Sequence, residues 1–176
     1  MNKPLKYILG FTLIELIVVI ALLSILAIVA LPRLMNHHED AHYSTVAATG
    51  GALSSAVMLL RGRWVSNGAK GEVDGVVGYG KNDIATTLDG WPSDAKKGEA
   101  SIHSPELAGD ANRCVRIWEA LLASHGIEVS SEANAQADYL VTTEGNSLCI
   151  FTYQESKTNS RIEYDLSSGT VLTVLK

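Results

Sequence analysis

Gly10-Phe11-Thr12-Leu13-Ile14-Glu15-Leu16 opens an apolar run of Leu, Ile, Val and Ala that continues to Leu31. From Phe11 the run is about 21 residues, roughly 30 Å as a helix, which is enough to cross the hydrocarbon core of a bilayer. Thr12 and Ser24 are its minor polar interruptions, and Glu15 is its single charge. A carboxylate at such depth costs about 2.5–3.5 kcal/mol on insertion scales, so it calls for a partner. Lys3 and Lys6 precede the run. A cleaved secretory signal would place a small-residue site after a shorter apolar core. Here Leu31-Pro32-Arg33 follows instead, and the natural break lies before the run, between Gly10 and Phe11.

The stretch GFTLIELIVVIALLSILAIVALPRL, residues 10–34, resembles the start of a type IV prepilin. That resemblance implies a leader, residues 1–10, removed by a membrane peptidase that cuts after Gly10 and methylates the new amino group of Phe11. It further implies that Glu15 neutralises such an amine, on a neighbouring subunit of a filament. The physical reading agrees: a buried carboxylate and a buried ammonium are each unfavourable in lipid, and both are relieved when they meet. The alternative is an ordinary membrane anchor with a tolerated acid.

A chain of 176 residues suits one domain plus an anchor. Its formal net charge of −5, without a Lys/Arg cluster, argues against nucleic acid as a partner. The lysines ahead of the run leave the head on the far, periplasmic side of the inner membrane. Cys114 and Cys149 would then sit in an oxidising compartment and read as a disulfide, the alternative being two buried free thiols.

Pro32 directly follows the run; lacking a donor, it loosens or kinks a helix there. Helical spacing resumes over Leu34, Met35, Val46, Ala47, Leu53, Ala56, Val57 and Leu60. We read one long helix: 11–31 as membrane or filament core, 32–65 as an amphipathic half packed on a head that occupies 66–176. Gly50-Gly51 either weakens the helix or admits close packing, and Gly62 and Gly68 mark its end. Residues 66–104 are broken by glycines, with a short hairpin or edge strand over Val73–Tyr79 and a turn at Asp89-Gly90-Trp91-Pro92. Ser104-Pro105-Glu106 signals a helix start. A helical pattern over Val115, Ile117, Trp118, Leu121 and Leu122 stops near Gly126. Period two then sets in: strands at Tyr139–Thr142, Leu148–Tyr153, Arg161–Tyr164 and Thr170–Leu175, joined by turns at 144–147 and 167–169. Short turns favour an antiparallel meander, and helix followed by sheet makes an α+β head.

His38-Glu39-Asp40-Ala41-His42 matches the zinc-hydrolase pattern H-E-x-x-H. It lies beside the membrane boundary with no third ligand or cleft in view, so these residues read as the solvated side of a helix leaving the membrane. No nucleophile elbow or phosphate loop is visible, and Gly75–Gly80 lacks the Lys-Ser/Thr continuation of a nucleotide site. No catalytic residue, metal or cofactor is expected. Trp118 reads as core, whereas Trp64 and Trp91 read equally as core or contact residues. Gly90-Trp91-Pro92, Cys114 with Trp118, Ala137–Thr142 and Cys149–Tyr153 are similar to pilins of the mannose-sensitive haemagglutinin (MSHA) type.

Together the two resemblances imply the type IV pilin fold and a structural subunit rather than an enzyme. Its partners would be the prepilin peptidase, membrane lipid, the inner-membrane assembly platform and other pilin subunits. Its destination would be an extracellular fimbrium serving attachment. A pseudopilin of a type II secretion system shares the N-terminus. Such proteins often carry a calcium loop near the C-terminus, where Asp165 here stands almost alone.

Overall fold

A computed structural model describes residues 11–69, 71–95, 109–122, 126–133, 136–155 and 159–176, with the side chains of 32–38 excepted. The chain divides into two units, Met1–Asp40 and Ala41–Lys176. Helix α1 (Leu13–Ser66) contributes to both and runs on through Pro32.

In the first unit, Leu13–Leu31 is long and apolar enough to cross a membrane, and none of it is buried. Phe11, Leu13, Ile14 and Ile28 are each at least 70% exposed, so this surface requires lipid or other helices around it.

In the second unit, α1 buries one stripe: Val46, Thr49, Leu53, Val57, Leu60 and Trp64 at steps of three and four, with Ala56 beside Val57. Ala47, expected on that face, is exposed. Residues Glu39–Ser66 also pass a length-and-composition test for a membrane span, but this stripe carries core residues of the head. Gly50 is the close-packing position. A Cβ there would collide with the Thr173 side chain of the last strand, whereas one at Gly51 would meet open space. The helix ends in a Schellman motif: Gly68 N–H donates to Val65 C=O at 2.9 Å and Ala69 N–H to Trp64 C=O at 3.2 Å, with Gly68 at φ 102°.

Two strands follow that the sequence did not announce. β1 (Ile84–Thr86) and β2 (Pro92–Ala95) pair antiparallel around the turn at Asp89-Gly90. The expected strand or hairpin at Val73–Tyr79 is corrected: Val73 makes one isolated bridge to Thr86, and the stretch is otherwise turns. Gly90, at φ 83°, lies against the Trp64 ring, which closes the turn onto the end of α1.

Helix α2 (Ala111–Leu122) is capped by Asp110, whose carboxylate accepts from Asn112 N–H at 3.0 Å. The expected start at Ser104-Pro105 lies outside the described residues. Cys114, Ile117, Trp118, Leu121 and Leu122 form the buried face.

The main sheet has the order β3-β4-β5-β6-β7, with β3 Val129–Ser130, β4 Tyr139–Glu144, β5 Leu148–Tyr153, β6 Arg161–Asp165 and β7 Val171–Val174. β4 to β7 form the expected antiparallel meander. The added β3 pairs parallel with β4, Val129 opposite Tyr139, so the sheet as a whole is not purely antiparallel. Alternation places Tyr139, Val141, Cys149, Phe151, Tyr153, Ile162 and Tyr164 in the core. Trp118 packs against Phe151 and Tyr139 with ring centroids 4.5 and 5.2 Å apart. The last strand is tied to the helix, Tyr43 donating its hydroxyl to the Lys176 carbonyl at 2.9 Å. The result is a long N-terminal helix followed by a β-sheet head, an α+β architecture.

Candidate functional site

The chemistry of the first unit is concentrated where α1 starts. Thr12 and Glu15 form a capping box, the T-x-x-E arrangement in which two side chains satisfy each other's backbone donors. Thr12 N–H and Thr12 Oγ1 both donate to Glu15 Oε2, at 3.1 and 2.9 Å, and Glu15 N–H donates to Thr12 Oγ1 at 3.3 Å. Phe11, one residue earlier, is 81% exposed. Glu15 therefore stands in the first turn, at the same end of the helix as Phe11. Gly10 lies outside the described residues, as does the side chain of Pro32.

In the head, Cys114 of α2 is joined to Cys149 of β5, 35 residues on, with Cα atoms 5.8 Å apart. Both are fully buried. Closing a loop of that length is worth about 4 kcal/mol by chain entropy.

Beside the disulfide lies a charged cluster that the sequence reading passed over. Asp94 of β2 is fully buried and accepts from Arg116 Nε at 2.8 Å and from Arg116 Nη2 at 3.0 Å. Arg113 Nε donates to the Ser93 carbonyl at 2.7 Å and lies 3.9 Å from Asp94 Oδ2. Asp110 is 3.5 Å from Arg116. Burial lowers the pKa of Arg113 and Asp94 partly offsets it, while the hydrogen bond to Asp94 raises that of Arg116. The buried Tyr164 hydroxyl donates to the Pro92 carbonyl at 2.8 Å. Arg113 and Arg116 thus hold the polar strand Pro92-Ser93-Asp94 against α2. The signal in the sequence was two arginines three apart on a helix that also carries the first cysteine, but nothing local names their partner. A cleft of about 670 Å³ opens nearby, lined in part by Lys81, Asp83, Arg116, Glu119, Leu122 and Ile127. Its charges are of both signs, and Arg116 is already committed to Asp94.

The H-E-x-x-H pattern is redirected by packing. The His42 ring is half-buried, with Nδ1 3.1 Å from the Tyr153 hydroxyl and ring centroids 5.6 Å apart, rather than on a solvated face. The His38 side chain lies outside the described residues. Among the described residues no group of three His, Cys, Asp or Glu is arranged to hold a metal. Asp165 closes the β6–β7 turn. Its Oδ1 accepts from Ser167 N–H and Oγ at 3.0 and 2.8 Å, and Oδ2 accepts from Ser168 Oγ at 2.9 Å. Burial would raise its pKa, but these bonds and one from Ser147 outweigh that and hold it below 3.8. Of the tryptophans, Trp64 and Trp118 are buried, and Trp91 is half-buried with the Arg61 guanidinium 4.2 Å from its ring centroid.

Residues 5–31 match the prokaryotic N-terminal methylation motif. The N-terminus is therefore a type IV prepilin-like leader followed by its apolar helix, and the match covers that segment alone. No curated protein and no solved structure matches the chain.

Proposed function

We propose that the chain is a structural subunit of a type IV pilus, made as a single-pass inner-membrane precursor with its head in the periplasm. The prepilin peptidase removes residues 1–10 by cutting between Gly10 and Phe11, and Phe11 is N-methylated. Residues 11–31 then wait in lipid and are transferred by the assembly platform into a filament of like helices. Residues 32–65 form the second half of that helix, and 66–176 complete the head. Glu15 pairs with the Phe11 ammonium of an adjacent copy, which favours one axial register. The observation that carries this reading is the methylation motif on an apolar segment, Leu13–Leu31, with no buried residue and one carboxylate. Lipid leaves that carboxylate without an opposite charge, and a second copy supplies one. The head residues quoted above favour the MSHA-type branch, with surface attachment as its role. The Asp165 carboxylate, taken up by serines of its own turn, favours the pilus over a secretion pseudopilin with a calcium loop.

The test is a strain whose only copy carries Glu15→Ala. Removing the acid eases membrane insertion, so precursor level and cleavage after Gly10 persist while sheared surface filaments are lost. Mass spectrometry checks the first step by finding N-methyl-Phe11 as the mature terminus. Normal filaments from Glu15→Ala would overturn the assembly role of the acid. Absence of surface filaments from the unaltered strain, together with loss of protein secretion when the chain is deleted, would favour the pseudopilin.

A further inference from the structure

The elements around the main sheet all lie on one of its faces. Thr173 meets Gly50 of α1, Cys149 is bonded to Cys114 of α2, and Tyr164 donates to the Pro92 carbonyl of β2. These are inward positions, so among the described residues both helices and the hairpin sit on the core side. Strand pairing carries the outer face across the sheet in two rows. One is Leu140, Thr152, Arg161 and Val174, and the other is Thr142, Ile150, Glu163 and Leu172. An antiparallel sheet with one face in water ordinarily turns apolar residues inward and polar ones outward. Here Leu140, Ile150, Leu172 and Val174 occupy outward positions, and Leu172 is 53% exposed. The only charges in the two rows are Arg161 and Glu163, paired on β6 with Nε 2.6 Å from Oε1. The rows therefore carry no net charge.

We propose that this outer face receives the same face of a second copy of the chain. The two rows make it self-complementary. A two-fold axis lying across the strands at the level of Ile162 exchanges one row with the other, as an isologous contact requires. Arg161 of each head then lies over Glu163 of the other, Val174 over Leu172, and Ile150 over Thr152. Opposite charges meet near the axis, and apolar side chains meet along β7. A strongly charged polymer or an anionic lipid surface finds no such match on a face of zero net charge. Strand spacing gives this face roughly 300 Å² per head. A stable dimer needs about 800 Å² from each partner. One contact is therefore weak, and many heads held on one support make it strong. The head half of α1 lies against the inner face, so a filament built around α1 turns the outer face away from its axis. On the reading of the chain as a filament subunit, the contact joins filaments side by side.

The test uses the full chain reconstituted in lipid vesicles, with clustering followed by light scattering. Vesicles of the unaltered chain should cluster. Leu172→Asp, at an exposed position that tolerates a charge, should raise the protein density needed for half-maximal clustering about tenfold or more. Arg161→Glu and Glu163→Arg should each stop clustering, because like charges then meet twice across the axis. Vesicles of Arg161→Glu mixed with vesicles of Glu163→Arg should cluster again. Neither chain regains its own ion pair in that mixture, so only a contact between copies restores it. Exchanging both residues in one chain should also cluster as the unaltered chain does. Dispersed vesicles of the unaltered chain, full clustering by Leu172→Asp, a mixture that stays dispersed, or a dispersed double exchange would each overturn the proposal. Equal clustering with protein-free vesicles overturns it in favour of lipid. Sheared filaments test the use of the contact: those of the unaltered chain should lie side by side and those of Leu172→Asp should separate. Leu172→Asp filaments that stay together overturn the linking role. Absence of filaments from the unaltered chain overturns the subunit reading, while clustering of vesicles still upholds the contact between heads.

Discussion

Asp94→Ala should be among the most damaging single changes in the head. The residue is fully buried and receives both Arg116 hydrogen bonds, at 2.8 and 3.0 Å, along with the Ala95 amide at 2.7 Å. The Arg113 side chain, only 2% exposed, lies 3.9 Å away. Replacing an aspartate with alanine leaves two guanidinium groups without their shared counter-charge. Arg116, 27% exposed, can turn toward Asp110 and water. Arg113 is held by its bond to the Ser93 carbonyl inside the head, so it stays buried. Breaking a buried pair by removing one partner costs about 3–5 kcal/mol, most of it the penalty of the charge left behind. Against a typical domain stability of about 5–15 kcal/mol, that is a large share. The assay is thermal or denaturant unfolding of detergent-solubilised protein, followed by near-UV circular dichroism, since Trp118 packs on the same helix. Adding Arg113→Met to Asp94→Ala should recover part of the loss, because the buried charge that faced Asp94 is then gone. A cost below about 1 kcal/mol for Asp94→Ala would refute the reasoning and mean that the cluster is solvated.

Cys114→Ala should lower head stability by about 4 kcal/mol while leaving cleavage after Gly10 intact, as unfolding curves and the mature mass will show. Asp165 confers an acid limb. Its native pKa lies below its ordinary 3.8, so its contribution is fully present above that value and is lost as pH falls through the lower native one. Melting temperatures taken from about pH 5 to pH 2 should fall less steeply for Asp165→Asn than for the unaltered chain.

Which features were legible follows from where their causes lie. The stripe of α1 and the β4–β7 meander were readable because Leu53, Val57, Leu60, Cys149, Phe151 and Tyr153 announce helix and strand by local spacing alone. The hairpin of β1 and β2 was not. Pro92-Ser93-Asp94 is polar and yet buried, since its partners Arg113 and Arg116 come from about 20 residues further on and only tertiary structure brings them there. His42 was misplaced for a similar reason: Tyr153, which half-buries it, is 111 residues distant. The short β3 carries too few residues to show a period. At the candidate site the opposite holds. Thr12 and Glu15 spell a capping box in plain sequence, but reading Glu15 only as a charge in lipid hid its neighbour's part.

The junction of α1 with β7 sets an order of events during synthesis. Gly50 receives Thr173, and Tyr43 bonds to the carbonyl of Lys176 across 133 residues of chain. At translation rates of about 5–20 residues per second, the helix face waits roughly 7–27 s for that strand. Through that interval Val46, Leu53, Val57 and Leu60 exist without their final cover. Contacts of such long range also close slowly once both ends are present. The newborn head is therefore most vulnerable to proteases and to sticking to its own kind between the birth of its first helix and the arrival of its last strand. A truncation that removes β7 should leave a chain held permanently in that state.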